Sequence, residues 1–220
     1  MRRRQNDQRE WPSVPAARRA CRTGAGLSSR SDIPAVVLAG GLARRMGGGD
    51  KGRLMLAGKP ILTHVLDRLS PQVGRVAINA NGDSARWDEF GLPVLPDTVP
   101  DYPGPLAGVL AGLDWAADQG AEAIVSAAAD TPFLPSDLVP GLLSARGPSG
   151  LVLARAGRPQ PTFGLWPVAL REDLRSALAS GTRKILHWTD AHGATYADFP
   201  EDAFFNVNTP EDLQAAEVRA

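Results

Sequence analysis

The chain has 220 residues, enough to bury the core of one sizeable domain but short for two full ones. Its formal net charge is zero, yet residues 1–31 carry eight arginines against Asp7 and Glu10, so a tail of about +6 is balanced by a remainder of about −6. A single cysteine, Cys21, excludes an intrachain disulfide framework and a cysteine-based metal cluster, and points to a cytoplasmic setting.

The tail lacks hydrophobic periodicity and an apolar run of signal-peptide length, which speaks against secretion and against a membrane span. Residues 1–31 are therefore predicted to form a disordered basic extension. Their arginines alone would also suit a nucleic-acid arm or an organelle transit segment, beside the plainer reading of a solvated stretch without a role. Neither nucleic acid nor membrane is expected as a partner, and residues 32–220 are read as one domain.

From Ile33 onward, short apolar runs alternate with amphipathic segments, the pattern of an α/β layer fold with a mainly parallel sheet. Ala35 to Leu38 is the first strand, followed by a glycine-rich loop. Pro60 opens a helix whose apolar face is Ile61, Leu62, Val65, Leu66 and Leu69. Arg75 to Asn79 is a second strand ending at the Asn81-Gly82 turn, and Leu92 to Leu95 a third, followed by a stiff loop rich in proline from Pro96 to Pro105. A helix is predicted over Leu106 to Ala117, a buried strand over Ala123 to Ala128, and a helix over Pro135 to Ala145. Gly150 to Ala154 and Pro161 to Trp166 read as a strand pair, with helices at Val168 to Ala179 and Arg183 to Thr189. The last helix begins at Thr209, with Pro210 in its first position and Asp212 completing a capping box. The domain is read in two halves, 32–146 and 147–220.

The chemistry centres on the loop after the first strand, Leu38-Ala39-Gly40-Gly41-Leu42-Ala43-Arg44-Arg45-Met46-Gly47-Gly48-Gly49-Asp50-Lys51-Gly52. Glycines let backbone N–H groups approach an anion, and Arg44, Arg45, Lys51 and Arg53 face only Asp50 as a counter-charge. With three lysines against twenty-one arginines in the chain, Lys51 stands out from background composition. Gly52 follows Lys51 where a Walker loop needs Ser or Thr for the metal, and the formal Gly47-x-Gly49-x-x-Gly52 match starts too far beyond the strand for a dinucleotide fingerprint. What remains is a cradle in which the Leu38 to Gly40 backbone could hold a purine and the cations a triphosphate. The alternative is a glycine loop with solvated charges.

Ligands of open α/β sheets gather beyond the carboxyl ends of strands, so Asp130, which ends an apolar strand, is placed to hold a hard cation. Asp97 and Asn79 occupy corresponding positions after the third and second strands, although each also suits a turn. Asn206 and Asn208 lie two apart in an extended run and so face one way, with Phe205 and Val207 facing the other. His64, His187 and His192 have no metal-ligand spacing and read as structural.

These segments, together with Gly58-Lys59-Pro60, Asn79-Ala80-Asn81, Tyr102-Pro103-Gly104-Pro105-Leu106-Ala107-Gly108, Asp130-Thr131-Pro132 and Asn206-Val207-Asn208-Thr209-Pro210-Glu211, resemble the molybdenum cofactor guanylyltransferases over about Ile33 to Leu213. The resemblance implies a three-layer α/β/α, Rossmann-like nucleotidyltransferase fold with a mainly parallel, mixed sheet. It implies transfer of GMP from GTP to molybdenum-molybdopterin, with release of pyrophosphate. It makes 32–146 the nucleotide-binding half and 147–220 the acceptor-binding half, and by matching positions Leu38, Ala39, Gly40, Gly41, Lys51, Asn79, Asp97 and Asp130 would bind the nucleotide. Asp130 would hold Mg2+, and Lys51, Arg45 and Asp130 would act in catalysis. Pro161, Thr162, Asn206 and Asn208 are candidates for the acceptor, and recipient molybdoenzymes or their chaperones are candidate partners. Gly49 and the plain run Ala127 to Ala129 are the departures from the family pattern. A cytidylyltransferase for the same pterin, a sugar-phosphate nucleotidyltransferase and a nucleotide-binding regulator without turnover are the competing readings.

Overall fold

The computed structural model describes residues 32–40, 50–99 and 104–220. The predicted basic extension, most of the glycine-rich loop with Gly41, Arg44 and Arg45, and Pro100 to Pro103 lie outside the described residues. Among the described residues, seven strands form one sheet in the order β5-β4-β1-β6-β8-β7-β9. Their ranges are β1 Ala35–Leu38, β4 Val76–Asn79, β5 Val94–Leu95, β6 Ala123–Ala128, β7 Val152–Ala156, β8 Arg158–Pro167 and β9 Thr195–Asp198. Neighbours β5, β4, β1 and β6 are parallel, β8 runs against both β6 and β7, and β9 is parallel to β7. Only β8 is reversed in this sheet, which is the mainly parallel, mixed α/β sheet expected.

Alternate residues of each strand divide between two faces, and each face is covered by helices. Ala35, Val37, Ile78, Val125 and Ala127 pack with Leu62, Val65 and Leu69 of α1 (Ile61–Leu69) and with Leu138, Val139 and Leu142 of α3 (Leu138–Ser144). On the other face, Val36, Ile124, Leu153 and Trp166 meet α2 (Pro105–Asp118), α4 (Arg171–Ala179) and α5 (Ile185–Ala191). Helix α2 lies close on the sheet through glycines. A Cβ at Gly112 would come within 2.7 Å of Val36, and one at Gly108 within 2.1 Å of the Asn79 side chain. Helix α4 is tied to α2 by Arg175, which donates to Asp114 at 2.6 Å and to Glu172 at 3.1 Å. That bond to Arg175 holds the Glu172 carboxyl below the usual carboxylate range.

The predicted elements recur with shifted ends. Strand β5 is shorter than predicted, and α3 starts at Leu138 rather than Pro135. Pro60 is the residue before α1 rather than its first member. Of the expected apolar face of α1, Leu66 is only half-buried. Helix α6 (Pro210–Arg219) begins as predicted, with Thr209 accepting from the Asp212 N–H and the Asp212 carboxylate returning to the Thr209 N–H. The elements without a sequence prediction include the hairpin β2 (Met55–Leu56) with β3 (Lys59–Pro60), the 3-10 helices Lys51–Arg53, Ser70–Gln72 and Ser84–Phe90, and edge strand β9. Among the described residues, no helix is long and apolar enough to cross a membrane.

The β2–β3 hairpin turns through Ala57 and Gly58, both with positive φ, at 46° and 77°. Glycine adopts this region without cost, but the Cβ of Ala57 is strained there. The Ala57 N–H donates to Glu217 of α6 at 3.0 Å, so the turn is held in place from outside. Ala57→Asn, which tolerates the left-handed region, is expected to raise unfolding stability by about 1 kcal/mol, readable as an increased midpoint in urea denaturation.

Candidate active site

The carboxyl ends of three parallel strands are level: Leu38 of β1 is in register with Asn79 of β4 and with Ala128 of β6. Past this edge, main-chain bonds continue the alignment, with the Ala39 N–H donating to the Asn79 carbonyl at 2.9 Å and the Ala129 N–H to the Leu38 carbonyl at 3.1 Å. The Leu38 carbonyl and Ala39 N–H thus serve the sheet. The chain is first exposed at Gly40, where a Cβ would meet nothing within 4 Å.

Asp130 follows Ala129 by one residue, and its carboxylate is reached by Lys51 at 3.3 Å. The two side chains retain only 21% and 20% of their exposure, so the pair sits in a partly desolvated recess where a charge acts more strongly than on an open surface. Lys51 also donates to the Asn208 side-chain carbonyl. Thr131 Oγ1 reaches Asp130 Oδ1 at 3.4 Å and donates to Asn206 Oδ1. Residues separated by up to 157 positions in sequence therefore meet at one strand end. Val207, between the two asparagines, is fully buried with Leu56, Ile61 and Ala216, so the alternation expected for this run holds.

Lys51 is held by its own short turn. Gly52 behind it lies against Ala129, 3.3 Å from where its Cβ would be, so a larger residue would press on the approach to Asp130. Arg53, grouped in the sequence with the phosphate-covering cations, instead pairs with Glu89 at 3.3 Å on the surface. Asp50 is engaged by Arg86 at 2.8 Å.

At the neighbouring strand ends, Asn79 is buried and donates through Nδ2 to the Leu95 carbonyl at 3.0 Å and to Asp97 Oδ1 at 2.9 Å. Asn81 donates to Asp97 Oδ2 at 2.8 Å and accepts the Asp97 N–H at 2.8 Å. Both oxygens of Asp97 are thereby oriented by amides, which fits a carboxylate fixed for recognition. The part played by Asn81 was not assigned from sequence. The Asn-x-Asn spacing was its only trace, since one-residue alternation places both side chains on one side.

Pro161 and Thr162 lie on β8, half-buried. The register that pairs Ser126 with Gly164 carries Thr162 level with Ala128, so these residues reach the same edge as Asp130. Their backbone is fixed by Ser126, fully buried, whose hydroxyl donates to the Thr162 carbonyl at 2.9 Å and accepts the Trp166 indole N–H at 2.7 Å. Further along the same half of the sheet, Arg155 grips Asp198 through two bonds of 2.6 and 2.8 Å, which hold the Asp198 carboxyl below its ordinary range. His64 donates through Nε2 to the Leu56 carbonyl at 2.9 Å and His192 Nε2 sits at 2.8 Å from Asp173, consistent with their reading as structural.

Among the described residues, no cluster of three or more His, Cys, Asp or Glu could enclose a metal. Mg2+ does not require one, because it is commonly bound by one or two carboxylates together with phosphate oxygens and water. Asp130, partly exposed and linked through Thr131 and Lys51 to the side-chain oxygens of Asn206 and Asn208, fits that mode.

A mainly parallel sheet with a carboxylate, a lysine and a carboxamide-fixed aspartate past one edge has the ligand-site layout of an open α/β domain, and the class of this one is that of the nucleotidyltransferases. Residues 35–194 match the MobA-like NTP transferase domain family. The chain is 53% identical over 183 residues to the molybdenum cofactor guanylyltransferase of Cereibacter sphaeroides, covering 83% of this chain and 94% of that one. It is 50% identical over 199 residues to the enzyme of the same name from Bradyrhizobium sp. (strain ORS 278), covering 86% and 94%. The crystal structure of molybdopterin-guanine dinucleotide biosynthesis protein A from Archaeoglobus fulgidus superposes with a TM-score of 0.66 at 25% identity, over 85% of this chain and 98% of that one. The chain belongs to the molybdenum cofactor guanylyltransferase family.

Asn79 is packed so closely under α2 that Gly108→Ala would drive a methyl group into its carboxamide. Overpacking of this kind costs about 1–3 kcal/mol. The displaced Asn79 should also release Asp97, so GTP affinity measured by titration calorimetry is expected to fall in the fraction that remains folded.

Proposed function

We propose that the chain transfers GMP from GTP to the terminal phosphate of molybdenum-molybdopterin, forming the guanine dinucleotide cofactor and pyrophosphate, with Mg2+ required. The observation that carries this reading is the meeting of Lys51, Asp130 and Asn208 at the carboxyl end of β6, within a family of guanylyltransferases. Molybdoenzymes or their chaperones would take up the product.

The nucleophile in this reaction is a phosphate monoester, whose second pKa of about 6 leaves it mostly ionised at neutral pH. No side chain has to remove a proton from it. The work left to the protein is alignment of acceptor and α-phosphate and neutralisation of the charge that builds on the α-phosphate and the departing pyrophosphate. Asp130 would hold Mg2+, which when bound would supply positive charge against the negative charge of the phosphates. Lys51, held beside Asp130 before substrate arrives, exchanges this carboxylate for a phosphate oxygen, so its charge is already oriented and partly desolvated. Asn208 keeps the ammonium from swinging into solvent. Arg45 is proposed as a second cation on the triphosphate. Leu38, Ala39, Gly40 and Gly41 would line the nucleotide with backbone, Asn79 and Asp97 would orient it, and Pro161, Thr162, Asn206 and Asn208 would border the acceptor.

Removal of one preorganised charge from such a site typically costs roughly 2.7–4 kcal/mol of barrier, a hundredfold or more in rate. Asp130→Ala and Lys51→Ala are each expected to show that loss in pyrophosphate release with GTP, Mg2+ and the pterin acceptor. Wild-type turnover in either variant would remove that residue from the mechanism. Chelation of divalent ions is expected to abolish turnover and Mg2+ to restore it. Single-turnover assays with GTP and CTP decide the base, GTP being the expected donor.

A further inference from the structure

Arg86 lies outside the motifs that carry the resemblance, yet it joins two walls of the site. Its guanidinium makes three directed bonds: Nε donates to the Asp83 carbonyl at 3.1 Å, Nη2 to the Asn81 carbonyl at 2.8 Å, and Nη1 to Asp50 Oδ2 at 2.8 Å. The first two fix the side chain on the turn after β4. The third reaches across to the residue immediately before Lys51.

The local sequence builds this arrangement. Asp83 caps the 3-10 helix Ser84–Phe90 by accepting from the Ala85 N–H at 3.0 Å. Trp87, next to Arg86, is fully buried and anchors the helix in the core. Gly82, at φ 86°, makes the turn, and a Cβ there would lie 3.3 Å from Arg86 Nη2. Arg86 is thus oriented by backbone and by a buried neighbour before it meets Asp50.

The consequence is electrostatic. Asp50 is the one acidic residue in a cationic loop and adjoins the lysine proposed to meet the phosphates. Left alone, its carboxylate would compete for Lys51 and repel a triphosphate; the Asp50 side chain is instead 11% exposed and already neutralised. The Asp50 carbonyl also accepts the Arg53 N–H at 3.0 Å, closing the turn that carries Lys51. The same Asn81 whose carbonyl holds Arg86 holds Asp97 through its side chain. A continuous chain of bonds therefore runs from the Lys51 turn through Asp50, Arg86 and Asn81 to Asp97 and Asn79.

We propose that Arg86 is a positioning residue for GTP binding: it sequesters the Asp50 carboxylate away from the phosphates and fixes the Lys51 turn to the strand ends that orient the nucleotide. This rests on the nucleotidyltransferase reading of the site. Steady-state pyrophosphate release by the full chain, with GTP varied at saturating Mg2+ and acceptor, tests it. Arg86→Ala is expected to raise KM for GTP about tenfold with kcat within about twofold, because the lost interaction serves binding rather than the transition state alone. Arg86→Ala combined with Asp50→Asn is expected to recover most of that KM, since the uncovered carboxylate is then gone. Arg86→Lys, which keeps the charge but not the fork, should fall between. A merely structural role would lower the melting temperature of Arg86→Ala and leave the double variant no better than the single one. An unchanged KM in Arg86→Ala, or failure of Asp50→Asn to rescue it, overturns the proposal. Should Arg86→Ala not fold, Arg86→Lys with and without Asp50→Asn makes the same comparison. Wild-type protein that releases no pyrophosphate would sink the functional reading instead, and GTP titration calorimetry on the same variants would still decide the role of Arg86.

Discussion

One main-chain hydrogen bond organises the site: the Val207 N–H donates to the Asp130 carbonyl at 2.8 Å. It lays the segment before α6 across the end of β6, far from it in sequence, and extends the backbone pairing beyond the sheet proper. Because the chain is extended there, Asn206 and Asn208 flank Asp130 while Val207 is pinned in the small core formed with Leu56, Ile61 and Ala216. That core unites the β2–β3 hairpin, the start of α1 and α6. Burial of one valine is thus coupled to the orientation of two carboxamides. Lys51, which precedes the same hairpin, then finds Asn208 and Asp130 together, and its charge has a fixed address.

The strand-end residues were legible in the sequence because the underlying rule is topological. Once β1, β4, β5 and β6 are recognised as parallel strands of one sheet, whatever follows their last apolar residue must emerge on one edge, and Asn79, Asp97 and Asp130 do so. The start of α6 was legible because its cap is a local hydrogen-bond cycle confined to Thr209 and Asp212. What was hidden depends on partners distant in sequence. Strand β9 buries only Ala197 among its four residues and gains its place by pairing with β7. The β2–β3 hairpin puts an alanine in a conformation that sequence rules reserve for glycine or asparagine, and Glu217 of α6 holds that turn from across the domain. Arg53 and Arg86 show the same limit for charge. The sequence groups Arg53 with the cationic loop and assigns Arg86 no role, and only the folded positions of Glu89 and Asp50 reveal where each is spent.

The electrostatic design of the recess follows from which charges are already paired. Asp50 is satisfied by Arg86, and both Asp97 oxygens are held by amides, so these acids are oriented without needing a lysine. The Lys51–Asp130 contact at 3.3 Å is longer than the tight charge-assisted bonds elsewhere in the molecule, such as the 2.6 Å bond from Arg155 to Asp198. A pair of this kind can be opened by ligands that offer a phosphate to the lysine and a cation to the carboxylate. The exposed Arg155–Asp198 pair has the geometry of a structural brace, whereas the recessed and looser pair suits the exchange proposed for Lys51.

The single reversed strand explains why an acceptor could arrive at the same place. A parallel β8 would bring its carboxyl end to this edge and begin at the far side; because β8 runs against β6, its first half, with Pro161 and Thr162, stands there instead. The pairing of β7 with β8 slips between Leu153 and Ala154, whose partners are Gly164 and Gln160, so Pro161 to Phe163 are released from the ladder on that side. Released backbone needs other support, and Ser126 gives it by binding the Thr162 carbonyl from within the neighbouring strand while Trp166 fills the remaining valence of its hydroxyl. The lone polar residue inside β6 thus has a positional task. It supports the irregular stretch of β8 near the strand end that leads to Asp130, which is where the proposed function would bring two phosphate-bearing substrates together.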